Sequence, residues 1–269
     1  MNTIAEFKEF IWNFYHNNKR DFAWRNIDNP YYIVVSEIML QQTQTARVVT
    51  KYEEFIVAFP HFQALAAATL RDVLSVWQGL GYYRRARFLH QLAQKVVSDH
   101  KGSLPQDLQI LQTFPGIGPN TAGSICAFAF NQPTVFIETN IRTVFIESFF
   151  RDKNNVSDKE LLPLIAAALD HDNPREWYYA LMDYGVFLKS CQINPSRKSA
   201  HYTKQSKFEG SNRQIRARIL KIITEKENVA HHDLLHIINK DVERVNHIIN
   251  ELISESFIKK TVNDIYFIP

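Results

Sequence analysis

Phe114-Pro115-Gly116-Ile117-Gly118-Pro119-Asn120-Thr121-Ala122, leading into an apolar stretch that ends at Phe130, is the segment of this 269-residue chain on which the fold turns. Two glycines two residues apart, set between apolar segments, permit a tight hairpin whose amides reach a phosphate with no side chains in the way. Gly-x-Gly alone also suits a dinucleotide-binding turn, but here no strand-like run precedes it and no third glycine follows at the required spacing. The hairpin therefore reads as an anchor for nucleic acid.

Twenty residues beyond Gly118, a lone acid, Glu138, ends the apolar run Val135-Phe136-Ile137. It stands just before Thr139, the expected N-cap of a helix from Ile141 to Phe150. A carboxylate is thereby placed beside the hairpin, although an acid at this place also serves simply to complement the positive end of a helix. A second acid lies far upstream. The expected helix from Tyr31 to Gln42 carries Ile33, Val34, Ile38, Met39 and Leu40, interrupted by Ser36 and Glu37. A carboxyl buried in such a surround resists ionisation, so its pKa rises and it becomes able to donate a proton. The ordinary alternative for Glu37 is an ion pair with an arginine.

Composition sets wider bounds. With 45% hydrophobic residues, a chain of this length builds a buried core and forms one or two domains. No run reaches the apolar length of a membrane span, and the N-terminus lacks the basic-then-apolar layout of a signal peptide, so the expected location is the cytoplasm, with the nucleoid, and no membrane partner. Net charge is only +3, yet between Arg197 and Arg218 seven basic residues meet a single acid, Glu209. Such a patch suits phosphates, and equally a solvated linker. Cys126 and Cys191 are the only cysteines, which excludes a disulfide framework.

The periodicity is helical almost throughout. Ile4, Phe7, Phe10, Ile11 and Phe14 mark a first helix, and others are expected over about 45–59, through 70–77 as a short pair, and over 84–100, 106–112, 119–130, 158–170 and 174–189. Asn29-Pro30 opens the second helix, Thr69 and Asp72 suit a first-turn cap, and Ser157 with Glu160 reads as a capping box. Residues 192–211 look like a basic linker. Three further helical sets follow, and two apolar runs flanking Asn263-Asp264 suit a hairpin with a two-residue turn. The expected class is all-α, with a small C-terminal α+β domain resembling a winged helix over 212–269.

Residues 114–122 and Glu138-Thr139-Asn140 resemble the two signatures of the helix-hairpin-helix (HhH-GPD) base-excision DNA glycosylases. Val35-Ser36-Glu37-Ile38-Met39-Leu40-Gln41-Gln42-Thr43-Gln44 and Gly79-Leu80-Gly81-Tyr82-Tyr83-Arg84-Arg85-Ala86-Arg87 are similar to the MutY, or adenine-excising, branch. The resemblance runs from residue 5 to about 190. It implies a two-lobed glycosylase domain over 1–191, acting as a monomer on double-stranded DNA that carries a mismatch or lesion. Glu37 would protonate the departing base, Glu138 would face the sugar as it becomes cationic, and Asn140 would orient that second site. Trp24, Arg25, Leu40, Asn120 and Tyr179 fall where the pocket for the extruded base is built. Gln41, Gln42, Thr43, Tyr82, Arg84, Arg85, Gly116, Gly118, Thr121 and Lys198 fall on the DNA side, with Tyr82 as the wedge.

Departures from the family pattern refine these expectations. Members that also cut the strand carry a lysine where this chain has Asn120, and only an amine forms the Schiff base required, so strand cleavage is not expected. Glu138 replaces the usual aspartate, a change of one methylene that displaces a carboxylate by about 1 Å. The family's iron-sulfur cluster needs four cysteines, but only Cys191 remains, with Lys198, His201 and Lys207 at the other places, so no cofactor is expected. The expected reaction is hydrolytic removal of adenine opposite 8-oxoguanine or guanine. The rivals are removal of uracil or thymine from mismatches with guanine, and a non-catalytic DNA-binding paralogue that senses lesions.

Overall fold

Helix accounts for nearly all regular structure, as the 3.6-residue periodicity requires. The computed structural model describes residues 3–191 and 194–269; residues 192 and 193, the start of the expected linker, lie outside the described residues. In chain order the helices are α1 (Ile4–Asn18), α2 (Pro30–Leu40), α3 (Thr45–Ala58), α4 (Phe62–Ala67), α5 (Leu70–Val76), α6 (Arg84–His100), α7 (Leu108–Leu111), α8 (Pro119–Phe130), α9 (Thr139–Phe149), α10 (Asp158–Ala168) and α11 (Pro174–Cys191). A 3-10 turn at Pro195–Lys198 precedes α12 (Asn212–Lys226), β1 (Val229–Ala230), α13 (His231–Ile238), α14 (Val242–Ser254), β2 (Lys259–Lys260) and β3 (Ile265–Phe267).

Two compact units form, and they interleave along the chain: Met1–Glu37 with Leu104–Lys204, and Ile38–Ser103 with Gln205–Pro269. The linear order 1–191, 192–211, 212–269 is therefore not the order of packing. The cause is visible in the second unit, where α12 lies against α5 and Arg71 of α5 donates to the Thr224 carbonyl (2.9 Å) and to Glu227 (2.7 Å). In that unit α6 covers α4 and α5, with Trp77 and Phe55 edge to face at 5.8 Å. The three C-terminal helices carry an antiparallel sheet in the order β1-β3-β2, with Val229 opposite Tyr266 and Lys260 opposite Tyr266 on the other side. Strand β1 has only two residues and no alternating pattern to announce it. The closing turn also differs from expectation. Thr261 and Ile265 close a three-residue loop in which Asp264 takes φ +57°, because that bulged form accepts a left-handed Asp where a two-residue turn would need two left-handed positions.

The first unit buries an aromatic core between α1, α9 and α11. Phe7 meets Phe145 and Phe149 at 5.1 Å each, and Trp177 at 6.1 Å. Helix α8 is buried from Ala122 to Ala129, and its small residues let neighbours approach. A Cβ on Gly123 would stand 2.8 Å from Cβ of Phe136, and the Gly123 carbonyl accepts from the Thr134 hydroxyl at 2.7 Å. The segment leading to Glu138 is thus laid directly on α8.

Both expected capping boxes are present, Thr69 with Asp72 and Ser157 with Glu160. The two hairpin glycines have different reasons. Gly116 takes φ +77°, which a side chain would oppose. Gly118 has φ −88°, open to any residue, and serves as N-cap of α8 with Pro119 at its first position. Nothing within the protein lies within 4 Å of where its Cβ would be, so its missing side chain matters only for what approaches from outside.

Gly123→Ala tests this packing. Overpacking at a contact that cannot swing away costs about 1–3 kcal/mol, and the better helix propensity of alanine returns about 1 kcal/mol. A net loss of about 1 kcal/mol in urea unfolding is expected, where alanine in an uncrowded helix would stabilise.

Candidate functional site

The expected carboxyl groups, Glu37 and Glu138, lie in the same unit, close enough for the charge of Glu138 to act on Glu37. Glu37, half-buried near the end of α2, has its carboxyl pushed up to about 7 by burial; a hydrogen bond with Ser124 of α8 opposes the shift and the charge of Glu138 adds to it. A carboxyl in that range holds a proton near neutral pH and can give it up. The arginine partner that would have made Glu37 an ordinary ion pair is not what shifts it.

Glu138 has the opposite surroundings. Its Oε1 accepts from the Asn140 amide (2.7 Å) and the Ile141 amide (3.0 Å), and its Oε2 accepts from Asn140 Nδ2 (3.3 Å). Three donors thus converge on its carboxyl at the start of α9. Glu138, rather than Thr139, is therefore the N-cap of α9, because its longer side chain folds back onto amides two and three residues on. Thr139 already occupies the first turn, where its carbonyl accepts from the Thr143 hydroxyl at 2.8 Å.

Asn140 is held from its other side by Lys189 of α11, whose Nζ donates to Asn140 Oδ1 at 2.6 Å. Burial lowers the pKa of this lysine, and the nearby charge of Glu138 works against that lowering. Gly185, one turn earlier on the same face, makes the approach possible: a Cβ there would lie 2.6 Å from the Asn140 carbonyl oxygen. Lys189 is the site residue that sequence reading missed. Its only signal was glycine and lysine four apart on one helix face, which singles out nothing without knowing what faces it.

The expected pocket residues separate into walls and struts. Tyr179 is buried, stacked on Phe128 at 4.6 Å, and pushed well above the usual tyrosine range by burial and next by the charge of Glu37. Arg25 lies over its ring at 4.5 Å, but the guanidinium is spent on Asp183, with bonds of 2.8 and 2.7 Å. It braces the wall rather than offering donors. Trp24 is buried and stacks on Phe22 at 4.9 Å. Asn120 is exposed at the start of α8, and its Oδ1 accepts from the Ile137 amide at 3.2 Å, tying the hairpin to the segment that ends in Glu138. Thr121, in the first turn of α8, gives its carbonyl to the Ser124 hydroxyl at 3.0 Å. Leu40 belongs to the second unit.

In that second unit the expected DNA-side arginines do different work from the one their charge suggests. Arg85 is buried. Its Nη1 donates to the carbonyls of Ile38 (2.9 Å), Met39 (2.7 Å) and Gln41 (2.5 Å), and its Nη2 to Thr43 Oγ1 (2.8 Å) and the carbonyls of Leu80 (3.3 Å) and Gly81 (3.2 Å). It clamps the turn Gln41-Gln42-Thr43 to the loop Gly79–Tyr83, and so cannot also grip a phosphate. Gln42 and Tyr82 both project from left-handed positions, with φ +55° and +48°. Arg84 is exposed but paired with Glu255.

Lys198, at the end of the 3-10 turn, donates to the Arg151 carbonyl, and the neighbouring backbone pairs with Val156: the Val156 amide donates to the Lys198 carbonyl and the Ala200 amide to the Val156 carbonyl, each at 2.9 Å. The donor set does not fit an iron-sulfur cluster. Two cysteines cannot supply four thiolates, and Cys126 is enclosed in α8. Among the described residues, no group of three or more His, Cys, Asp or Glu is arranged to hold a metal ion.

Residues 35–164 match the model of the HhH-GPD superfamily base excision DNA repair proteins. The chain is 30% identical over 228 residues to the adenine DNA glycosylase of Mycolicibacterium smegmatis, covering 78% of each chain. It is 29% identical over 282 residues to that of Mycobacterium tuberculosis, covering 95% of this chain and 91% of the relative, and 34% identical over 195 residues to the human adenine DNA glycosylase, covering 68% and 36%. Among solved structures, a thermostable thymine-DNA glycosylase superposes with TM-score 0.64 at 24% identity over 71% of this chain and 90% of that one. Endonuclease III in a non-covalent complex with DNA superposes with TM-score 0.60 at 17% identity, again over 71% and 90%. At these identities the structures speak for the fold.

Lys189→Met keeps the length of the side chain and removes its charge. It is expected to cost about 1–2 kcal/mol in urea unfolding by leaving Asn140 Oδ1 without its charged donor, with Lys189→Arg recovering part of the loss.

Proposed function

This chain belongs to the HhH-GPD superfamily of base excision DNA repair proteins, and on that premise we propose that it is a monofunctional DNA glycosylase that removes adenine mispaired with 8-oxoguanine or guanine. The observation that carries the reading is the pair Glu37 and Glu138: two carboxyls in one unit with unlike surroundings, Glu37 pushed up to about 7 by burial and Glu138 accepting the backbone amides that open α9.

The division of labour follows from those surroundings. With the nucleotide rotated out of the duplex, protonated Glu37 gives its proton to a ring nitrogen of the base, and the bond from the base to the sugar breaks with its electron pair leaving on the base. The sugar left behind is cationic, and the Glu138 carboxylate stabilises it. Water then bonds to the sugar and loses a proton to Glu37, which returns both acids to their starting states. Asn140 and Lys189 hold the Glu138 carboxylate in place, so that it need not reorganise as charge develops. Tyr179 and Trp24 supply walls for the base. Asn120 has no amine with which to attack the sugar, and this supports hydrolysis without strand cleavage.

The adenine assignment rests on the named relatives and on the retained residues of the two DNA-side loops, Gln41-Gln42-Thr43 and Gly81-Tyr82-Tyr83. Duplex DNA anchors at the hairpin, where Gly118 leaves open space in front of the N-terminus of α8. No step runs through a metal or cofactor.

Single-turnover base release from duplexes carrying each mispair tests the substrate. Adenine release opposite 8-oxoguanine or guanine is expected, and uracil or thymine release without adenine release would overturn that assignment. Glu138→Gln keeps an oxygen to cap α9 but removes the charge, and is expected to slow release by at least about 100-fold; unchanged turnover would show that another group does the work.

The pH dependence carries its own sign. Because the acid form of Glu37 is the active one, the rate should fall toward tenfold per pH unit above about 7. Glu37→Gln should abolish both the activity and that alkaline limb.

A further inference from the structure

The C-terminal module gives the proposed reaction no residue, yet it reaches the loop that meets the DNA. Tyr82, at the tip of the Gly79–Tyr83 loop, has φ +48°, a conformation that residues with a side chain rarely adopt. Its position is held from two sides within the second unit. Arg85 lies 5.5 Å from the ring centroid and donates its backbone amide to the Tyr82 carbonyl at 2.9 Å. Arg213, in the first turn of α12, lies 5.6 Å from the same ring and donates Nη1 to the Tyr82 hydroxyl at 2.7 Å. Gln205 donates to that hydroxyl as well.

Arg213 is an unusual arginine for its place. The first turn of a helix is where a cation is least favoured, since it meets the positive end of the macrodipole. Among the described residues its hydrogen-bond partners are uncharged: Tyr82, and Ser206 through the carbonyl (2.7 Å) and the hydroxyl (3.3 Å). Arg84 and Arg216, close by in the same unit, are both paired with Glu255. A cation placed against the helix dipole, and bonded to a tyrosine in a rare backbone conformation, has its explanation in that tyrosine.

We propose that Arg213 is a positioning residue that fixes Tyr82 as a preformed wedge, so that the C-terminal module sets how strictly the enzyme reads the base opposite its target. The proposal rests on the glycosylase reading above, in which Tyr82 enters the duplex. The segment from Gln205 to Arg213 acts as a strap from the module to the wedge, and the hydroxyl of Tyr82 is its point of attachment. A tyrosine released from the strap is free to leave the left-handed region, and loses the fixed orientation in which it meets the bases.

The test uses the full chain with Arg213→Met, Tyr82→Phe and the double variant. Single-turnover adenine release is measured opposite 8-oxoguanine and opposite guanine, together with duplex affinity against salt concentration. Each single variant is expected to reduce the preference for the 8-oxoguanine duplex by about tenfold, and the double variant to lose no more than either alone, since each already breaks the Arg213–Tyr82 bond on which the strap depends. The salt slope should be unchanged. Arg213→Met weakening all duplexes alike with a shallower salt slope would show a phosphate contact instead, and would overturn the proposal. Additive losses would overturn it too. Tyr82→Phe removes only an exposed-side hydroxyl, so it tests the strap even if Arg213→Met folds poorly. A parent chain that releases no adenine overturns the glycosylase reading and this inference with it; a parent that releases adenine, with both single variants discriminating normally, overturns only the role given to Arg213.

Discussion

The Glu138 side chain capping α9 is the interaction on which the site depends. A carboxyl that accepts two backbone amides at a helix start is held in position by those bonds. The extra methylene relative to aspartate does not leave it loose, because the added reach is taken up in closing onto the amides of residues 140 and 141. Everything around it secures that helix end: Asn120 holds the Ile137 amide, Gly185 lets α11 come against Asn140, and Lys189 closes over the asparagine.

Glu37 depends on Glu138 in turn. Burial alone raises its pKa, and an ionised neighbour adds to the cost of giving up its proton. Two acids of one chemical type thus end in unlike surroundings, backbone amides at one and burial at the other.

The second unit shows the same economy with arginine. Four arginines near the DNA-side loops have three different fates: Arg85 is buried as a clamp between two loops, Arg84 and Arg216 share Glu255, and Arg213 supports Tyr82. Buried or paired guanidinium groups organise backbone rather than neutralise phosphate. The C-terminal helices therefore contribute to this surface through what they hold in place.

From the sequence alone came most of the helices and their order, the hairpin at Gly116 and both first-turn caps, because periodicity, capping chemistry and glycine placement act over a few residues and are written locally; the short α4 was not expected. The short strand β1, the three-residue loop before β3 and the change of N-cap from Thr139 to Glu138 were not legible, since each depends on which neighbour wins a contest for the same backbone group. Tertiary structure alone decided that the chain compacts as two interleaved units, that Lys189 reaches Asn140, and that Arg84 and Arg85 are spent inside the protein. The physical reason is one of range: a side chain declares its charge and size in the sequence, but its partner is set by segments tens or hundreds of residues away.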